Sequence, residues 1–149
     1  MKDMKNKFKC ILLVDDDHAT NYIHRKILEK SGIVENVKVA LNGQEALDFI
    51  EINNEIEKRG EVSELPSVIF LDINMPVLDG WEFLEEYDKL KMFKKEKTII
   101  IMMSTSFNPD DEIKAKGINH VTCYKSKPMT LDIIDEIKNN IYEISKVAG

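Results

Sequence analysis

Short unbroken apolar runs alternate along the chain with segments whose apolar residues recur every three or four positions. KCILLV (9–14) reads as a buried strand, and HATNYIHRKILEK (18–30) follows as a helix with Ala19, Tyr22, Ile23, Ile27 and Leu28 on one stripe. Gly32 ends that helix. ENVKVA (35–40) is a short alternating strand, and GQEALDFIEINNEIEKRG (43–60) a helix carrying Ala46, Leu47, Ile50 and Ile56. SVIFLD (67–72), entered through Pro66, fits a strand covered on both faces. WEFLEEYDKLKMF (81–93) then predicts a helix, TIIIMMS (98–104) the most apolar strand, and Asn108 caps a short helix with Pro109 at its first position and Gly117 after its end. HVTCYKSKP (120–128) is a fifth strand, and TLDIIDEIKNNIYEI (130–144) an amphipathic helix capped by Thr130.

Five such β-α units predict an α/β fold, a parallel sheet between helices on both faces. Sites in open sheets of this kind form beyond the carboxyl ends of the strands. The 149 residues fit a single domain, its core at about 8–144 after a short polar segment at 1–7. Residues 53–66 make the longest polar connection, a helix extension followed by a surface loop.

Charge narrows the classes of partner. A formal net charge of −6, spread along the chain, offers no positive face to nucleic acid. The apolar run after MKDMKNKFK is too short for a signal peptide or a membrane span, which points to the cytoplasm. Cys10 and Cys123 lie far apart inside apolar runs and read as reduced thiols.

The strand ends collect the chemistry. Asp15, Asp16 and Asp17 follow the first strand, Asp72 the third, Ser104 and Thr105 the fourth, and Lys127 the fifth. Adjacent carboxylates repel, and several meeting at one edge make a site for a hard divalent cation, for which Mg²⁺ is the usual occupant. A lysine and a hydroxyl opposite them suit a visiting phosphoryl group, with one carboxylate as its nucleophile. Asp72, ending the central strand between the metal ligands and the lysine, is best placed for that role. Asp17 is the one suited to capping the first helix.

LLVDDD, NGQEAL, IFLDINMPVLDG, the hydroxyl pair STS and the final KP, in this order, resemble the receiver domain of two-component response regulators from about Phe8 to Ile144. The resemblance implies a doubly wound, flavodoxin-like sheet of strand order 2-1-3-4-5 and a stand-alone receiver without an enzymatic output of its own. It matches Asp72 to the phosphoacceptor; Asp16, Asp15, Asp72 and the backbone carbonyl of Asn74 to the Mg²⁺ site, Asp15 largely through water; and Lys127, with cis-prone Pro128 after it, to the lysine that pairs with Asp72. Ser104 matches the switch hydroxyl and Tyr124 the aromatic that turns inward with it. The implied partners are a sensor histidine kinase or histidine phosphotransfer protein and a downstream protein target. Two departures stand out: the spacing from Ser104 to Lys127 is one residue longer than the family's usual one, leaving Thr105 as the other switch candidate, and FNPDDEIKAKG is short for a fourth helix.

A phosphohydrolase of the haloacid dehalogenase type, with Asp15 as nucleophile, is the alternative, because ILLVDDD approaches its first motif. Ala19 breaks that motif at its last position. His18, His24 and His120 read as exposed or half-exposed polar residues outside any metal cluster.

Overall fold

The protein is described by a computed structural model covering residues 7–92 and 98–148, with side chains through 139. The segment expected at 1–7 lies, apart from Lys7, outside the described residues, as does Phe93. Ten elements alternate: β1 (Phe8–Val14), α1 (His18–Ser31), β2 (Val34–Ala40), α2 (Gly43–Lys58), β3 (Val68–Asp72), α3 (Gly80–Asp88), β4 (Ile99–Ser104), α4 (Pro109–Lys116), β5 (Val121–Ser126) and α5 (Leu131–Ala148). The five strands are parallel, in the order β2-β1-β3-β4-β5.

Strand periodicity sorts the core into two layers. Leu12, Val14, Ile69, Leu71, Ile100 and Met102 pack on one face with Ala46, Leu47 and Ile50 of α2, Phe83 and Leu84 of α3, and Ala115 of α4. Ile11, Leu13, Val68, Phe70, Ile101 and Met103 pack on the other with Leu28 of α1 and Ile134 and Ile137 of α5. Because each central strand is covered on both sides, its sequence reads as continuously apolar, and its C-terminal residue is the first able to carry charge.

The expected caps Asp17, Asn108 and Thr130 are present, and Asn42 and Asp79 add two that the sequence reading did not assign. The Asp17, Asn42, Asp79 and Asn108 side chains each accept a backbone N–H in the first turn of α1, α2, α3 and α4, Asp79 within a reciprocal pair with Glu82, and Thr130 does the same for α5. Gly32 closes α1 in the left-handed region, φ 73°.

Two expectations need correction. The helix expected over 81–93 ends at Asp88, because the chain beyond it is captured: the Asn54 amide on α2 donates to the Lys91 carbonyl at 3.0 Å, while Leu90 and Met92 pack against the core as irregular backbone. On α1 the stripe is rotated. Tyr22 and Ile23 are 63% and 50% exposed and Ala19 is exposed, whereas Asn21, His24 and Leu28 face inward. Two polar contacts, from Asn21 and His24, hold that face against the site.

Candidate functional site

Asp15 continues β1 into the sheet's upper edge, its N–H donating to the Ala40 carbonyl at 3.1 Å, and it is buried. Both of its carboxylate oxygens are engaged. Oδ1 accepts the Asp17 N–H at 2.9 Å, and Oδ2 accepts the Lys127 ammonium. Asp17 turns away to cap α1, bonded to the N–H and hydroxyl of Thr20, and that hydroxyl chiefly holds its carboxyl below the usual range. Asp16, between them, is exposed to solvent.

Asp72 ends β3 and faces Lys127, its Oδ1 3.0 Å from Nζ. Its other oxygen has no hydrogen-bond partner among the described residues. The loop after it turns at once: the Leu78 N–H donates to the Pro76 carbonyl at 2.7 Å about Val77, a γ-turn whose central φ of 68° strains a β-branched residue. Gly80 then returns the chain so closely that its N–H donates to the Ile73 carbonyl at 2.8 Å. Asn74 is exposed in this loop, and no backbone N–H among the described residues donates to its carbonyl.

Lys127 follows β5 and precedes a cis peptide to Pro128. Its N–H donates to the Ser104 carbonyl at 2.7 Å, which aligns the ends of β4 and β5 despite the extra residue between them. The surplus is absorbed lower down. Ile100 pairs with Val121 but Ile101 with Cys123, so Thr122 is a bulge, and Ser104 meets Ser126 in register. The Ser104 hydroxyl is turned into its own loop, donating to the Ser106 carbonyl at 2.8 Å, and is not brought to Asp72. Thr105 is exposed beside Lys127 and Pro128, at the edge of a shallow cavity of about 230 Å³. Tyr124 is buried, its ring 5.6 Å from that of Phe107 and its hydroxyl without a partner among the described residues.

The structure therefore brings together Asp15, Asp16, Asp72 and Lys127. One carboxylate oxygen from each aspartate lies within 4.8 Å of the other two. Burial raises the pKa of Asp72 despite its bond to Lys127, with the neighbouring charge of Asp15 adding to the rise. Burial opposes the charge on Lys127, but its bonds to Asp15 and Asp72 outweigh this and hold it protonated. Three carboxylates against one ammonium leave net negative charge in a desolvated place, the electrostatic demand that a divalent cation meets.

Sequence reasoning missed His24, which is 4% exposed rather than half-exposed. Its Nε2 accepts the Met129 N–H at 3.3 Å. Burial and the nearby Lys127 lower its pKa. The unfolded chain thus binds a proton that the folded one refuses, and stability is lost as pH falls below about 6.5. Denaturation of wild type and His24→Gln at pH 5, 6 and 7 should give a steeper acid loss in wild type, by at most about 1.4 kcal/mol per pH unit for one proton. Parallel profiles would contradict this. The only signal in the sequence was spacing, since Asn21, His24 and Leu28 fall at i, i+3 and i+7. The other histidines fit better: His18 is exposed, and half-exposed His120 pairs with Asp88 at 2.6 Å.

A five-stranded doubly wound sheet of this order, with carboxylates and a lysine at its strand ends, defines a protein of the CheY-like receiver class. The family model of the response regulator receiver domain matches residues 11–138, and the chain belongs to that family. It is 33% identical over 131 residues to response regulator Rcp1 of Synechocystis sp., covering 88% of this chain and 84% of that one. A two-component response regulator of Cytophaga hutchinsonii superposes with a TM-score of 0.78 at 31% identity, over 92% of this chain and 98% of that one. The Mn²⁺-bound form of Rcp1 has a TM-score of 0.65 at 29% identity, over 88% and 90% of the two chains. The phosphorylated cyanobacterial phytochrome response regulator RcpA also has a TM-score of 0.65 at 29% identity, over 91% of each chain.

Proposed function

We propose that this receiver accepts a phosphoryl group on Asp72 from a phosphohistidine of a sensor histidine kinase or histidine phosphotransfer protein in the cytoplasm, and that the modified chain engages a downstream protein or passes the group on. The observation that carries the choice of residue is the unequal engagement of the carboxylates. Both oxygens of Asp15 hold hydrogen bonds, whereas Asp72 has one oxygen on Lys127 and the other free for attack. An oxygen of Asp72 forms the new bond to phosphorus as the bond from phosphorus to the imidazole nitrogen breaks, and the electron pair stays on that nitrogen. Lys127 then neutralises an oxygen of the transferred group.

The donor set suits Mg²⁺: exposed Asp16 has room to ligate directly, Asp72 and the Asn74 carbonyl would supply the other protein ligands, and Asp15, already bonded twice, suits contact through water. Bound there, the ion would spread negative charge from the phosphoryl oxygens. The Mn²⁺ of Rcp1 and the phosphorylation of RcpA support this reading. For the response, the unpartnered Tyr124 hydroxyl makes its buried position costly, which suits a ring that exchanges places as a β4 hydroxyl moves. Register supports Ser104 over Thr105 as that hydroxyl. Among the described residues no helix is long and apolar enough to cross a membrane.

Incubation with acetyl phosphate and Mg²⁺, then intact mass and borohydride trapping, tests the proposal. One phosphoryl group should appear, trapped at Asp72. Trapping at Asp15, the outcome expected of the hydrolase alternative, would sink it, and a mass gain that persists in chelator would sink the metal's part.

A further inference from the structure

Lys127 must hold its ammonium between two carboxylates after leaving an edge strand, and its own element does little to fix it there. Its backbone is tied at one side by the bond from its N–H to Ser104, 2.7 Å. The tie on the other side comes from α1. His24 accepts the Met129 N–H two residues further on. The same helix is registered to the acidic half of the site by Asn21, one turn earlier, whose amide donates to the Asp15 carbonyl at 2.8 Å. Asn21 and His24 are both buried and, with Lys127, Asp15 and Asp72, they line a chamber of about 10 Å³ that leaves the lysine little room to swing. One rigid helix face thus sets the distance between the carboxylates of β1 and the lysine after β5.

We infer that His24 is a positioning residue for phosphoryl acceptance, acting through the Met129 N–H to hold Lys127 on Asp72 and Asp15. This rests on the reading of Asp72 as the phosphoacceptor. A neutral imidazole is needed, because only an unprotonated nitrogen accepts, and the buried setting of His24 favours that form. Nothing in the geometry has His24 touching the transferred group.

The test compares acceptance from acetyl phosphate with Mg²⁺ in wild type, His24→Leu and His24→Gln, each also in a Lys127→Ala background, with hydrogen exchange at the Met129 amide measured alongside. Misplacing the lysine should slow acceptance on the order of tenfold in His24→Leu. His24→Gln, whose side-chain oxygen can again accept from Met129, should recover to within about twofold. In the Lys127→Ala background His24→Leu should cost nothing further, because a residue acting through the ammonium has nothing left to act on. Equal loss in both backgrounds, or no rescue by glutamine, overturns the inference in favour of plain packing. Should His24→Leu fail to fold, His24→Val carries the same comparison. If wild type takes no phosphoryl group, the proposed function fails, and the amide then decides this inference alone: exchange that quickens in His24→Leu but not in His24→Gln supports it, and unchanged protection in His24→Leu overturns it.

Discussion

Asp72→Asn is expected to lose phosphoryl acceptance and to gain stability in metal-free buffer. Asparagine keeps the shape of the side chain but removes the nucleophilic oxygen, so acceptance at this position should fall by about 100-fold or more. The stability gain follows from the sign of the Asp72 shift. Its pKa is raised, chiefly by burial, so at neutral pH the folded state holds a charge that is better solvated in the unfolded chain. Each unit of such a shift is worth about 1.4 kcal/mol, and the amide escapes it. Lys127 loses one partner in the exchange but keeps Asp15. The same substitution should shrink the stabilisation conferred by added Mg²⁺, since ligand binding stabilises in proportion to affinity for the folded state. Urea unfolding at pH 7 with and without Mg²⁺ measures both. A metal-free variant less stable than wild type would mean that the lost ion pair outweighs relief from burial, contrary to the charge balance drawn above.

How far such a site can be read from sequence depends on which interaction places each residue. Asp15 follows and Asp72 ends a strand covered on both faces, and a change from an unbroken apolar run to a carboxylate is visible without knowing the fold. Lys127 leaves an edge strand that is not an unbroken apolar run, and it is legible only from its place before Pro128, once alternation of strands and helices has fixed a parallel sheet that gathers strand ends along one edge. The caps Asp17, Asn108 and Thr130 were equally plain, because capping is local chemistry between residues two or three apart, whereas Asn42 and Asp79 were read as turn and loop residues.

What stayed hidden was set by contacts between distant segments. The inward face of α1 was misread because its apolar residues suggest one stripe while Asn21 and His24 gain more from Asp15 and Met129 than Tyr22 and Ile23 would from burial. A polar residue facing inward is decided by its partner, and a partner 105 residues away is not visible in the helical spacing of Asn21, His24 and Leu28, which alone cannot say that they turn inward. The early end of α3 has the same origin, the Asn54 amide taking a carbonyl that another helical turn would have used. The extra residue between Ser104 and Lys127 was visible as a count, but its absorption at Thr122 was not, since a bulge is a property of the pairing rather than of one strand.

Gly80→Ala should damage stability and phosphoryl acceptance together, and it connects the fold to the site at its tightest point. A Cβ on Gly80 would lie 2.6 Å from the Asp72 carbonyl oxygen and 2.9 Å from the Ile73 Cα. Both are backbone atoms of the segment that carries Asp72, the proposed phosphoacceptor, so neither can rotate aside, and α3 must move away from the end of β3 or take Asp72 with it. Overpacking of this kind costs about 1–3 kcal/mol and sometimes more. At this chain length that lowers Tm by about 3–10 °C. Displacing Asp72 relative to Lys127 by a fraction of an ångström should also slow acceptance about tenfold or more, because the reacting oxygen must meet phosphorus in line. Gly117→Ala is the matched control. Its φ is −80° and the nearest atom to an added Cβ is 3.5 Å away, so reduced freedom in the unfolded chain should leave it neutral or stabilised by up to about 1 kcal/mol. Thermal melts and acetyl phosphate time courses on the two variants separate a general intolerance of alanine from a clash at the site. If Gly80→Ala melts with wild type and accepts at the same rate, the close approach of α3 to β3 does not constrain Asp72.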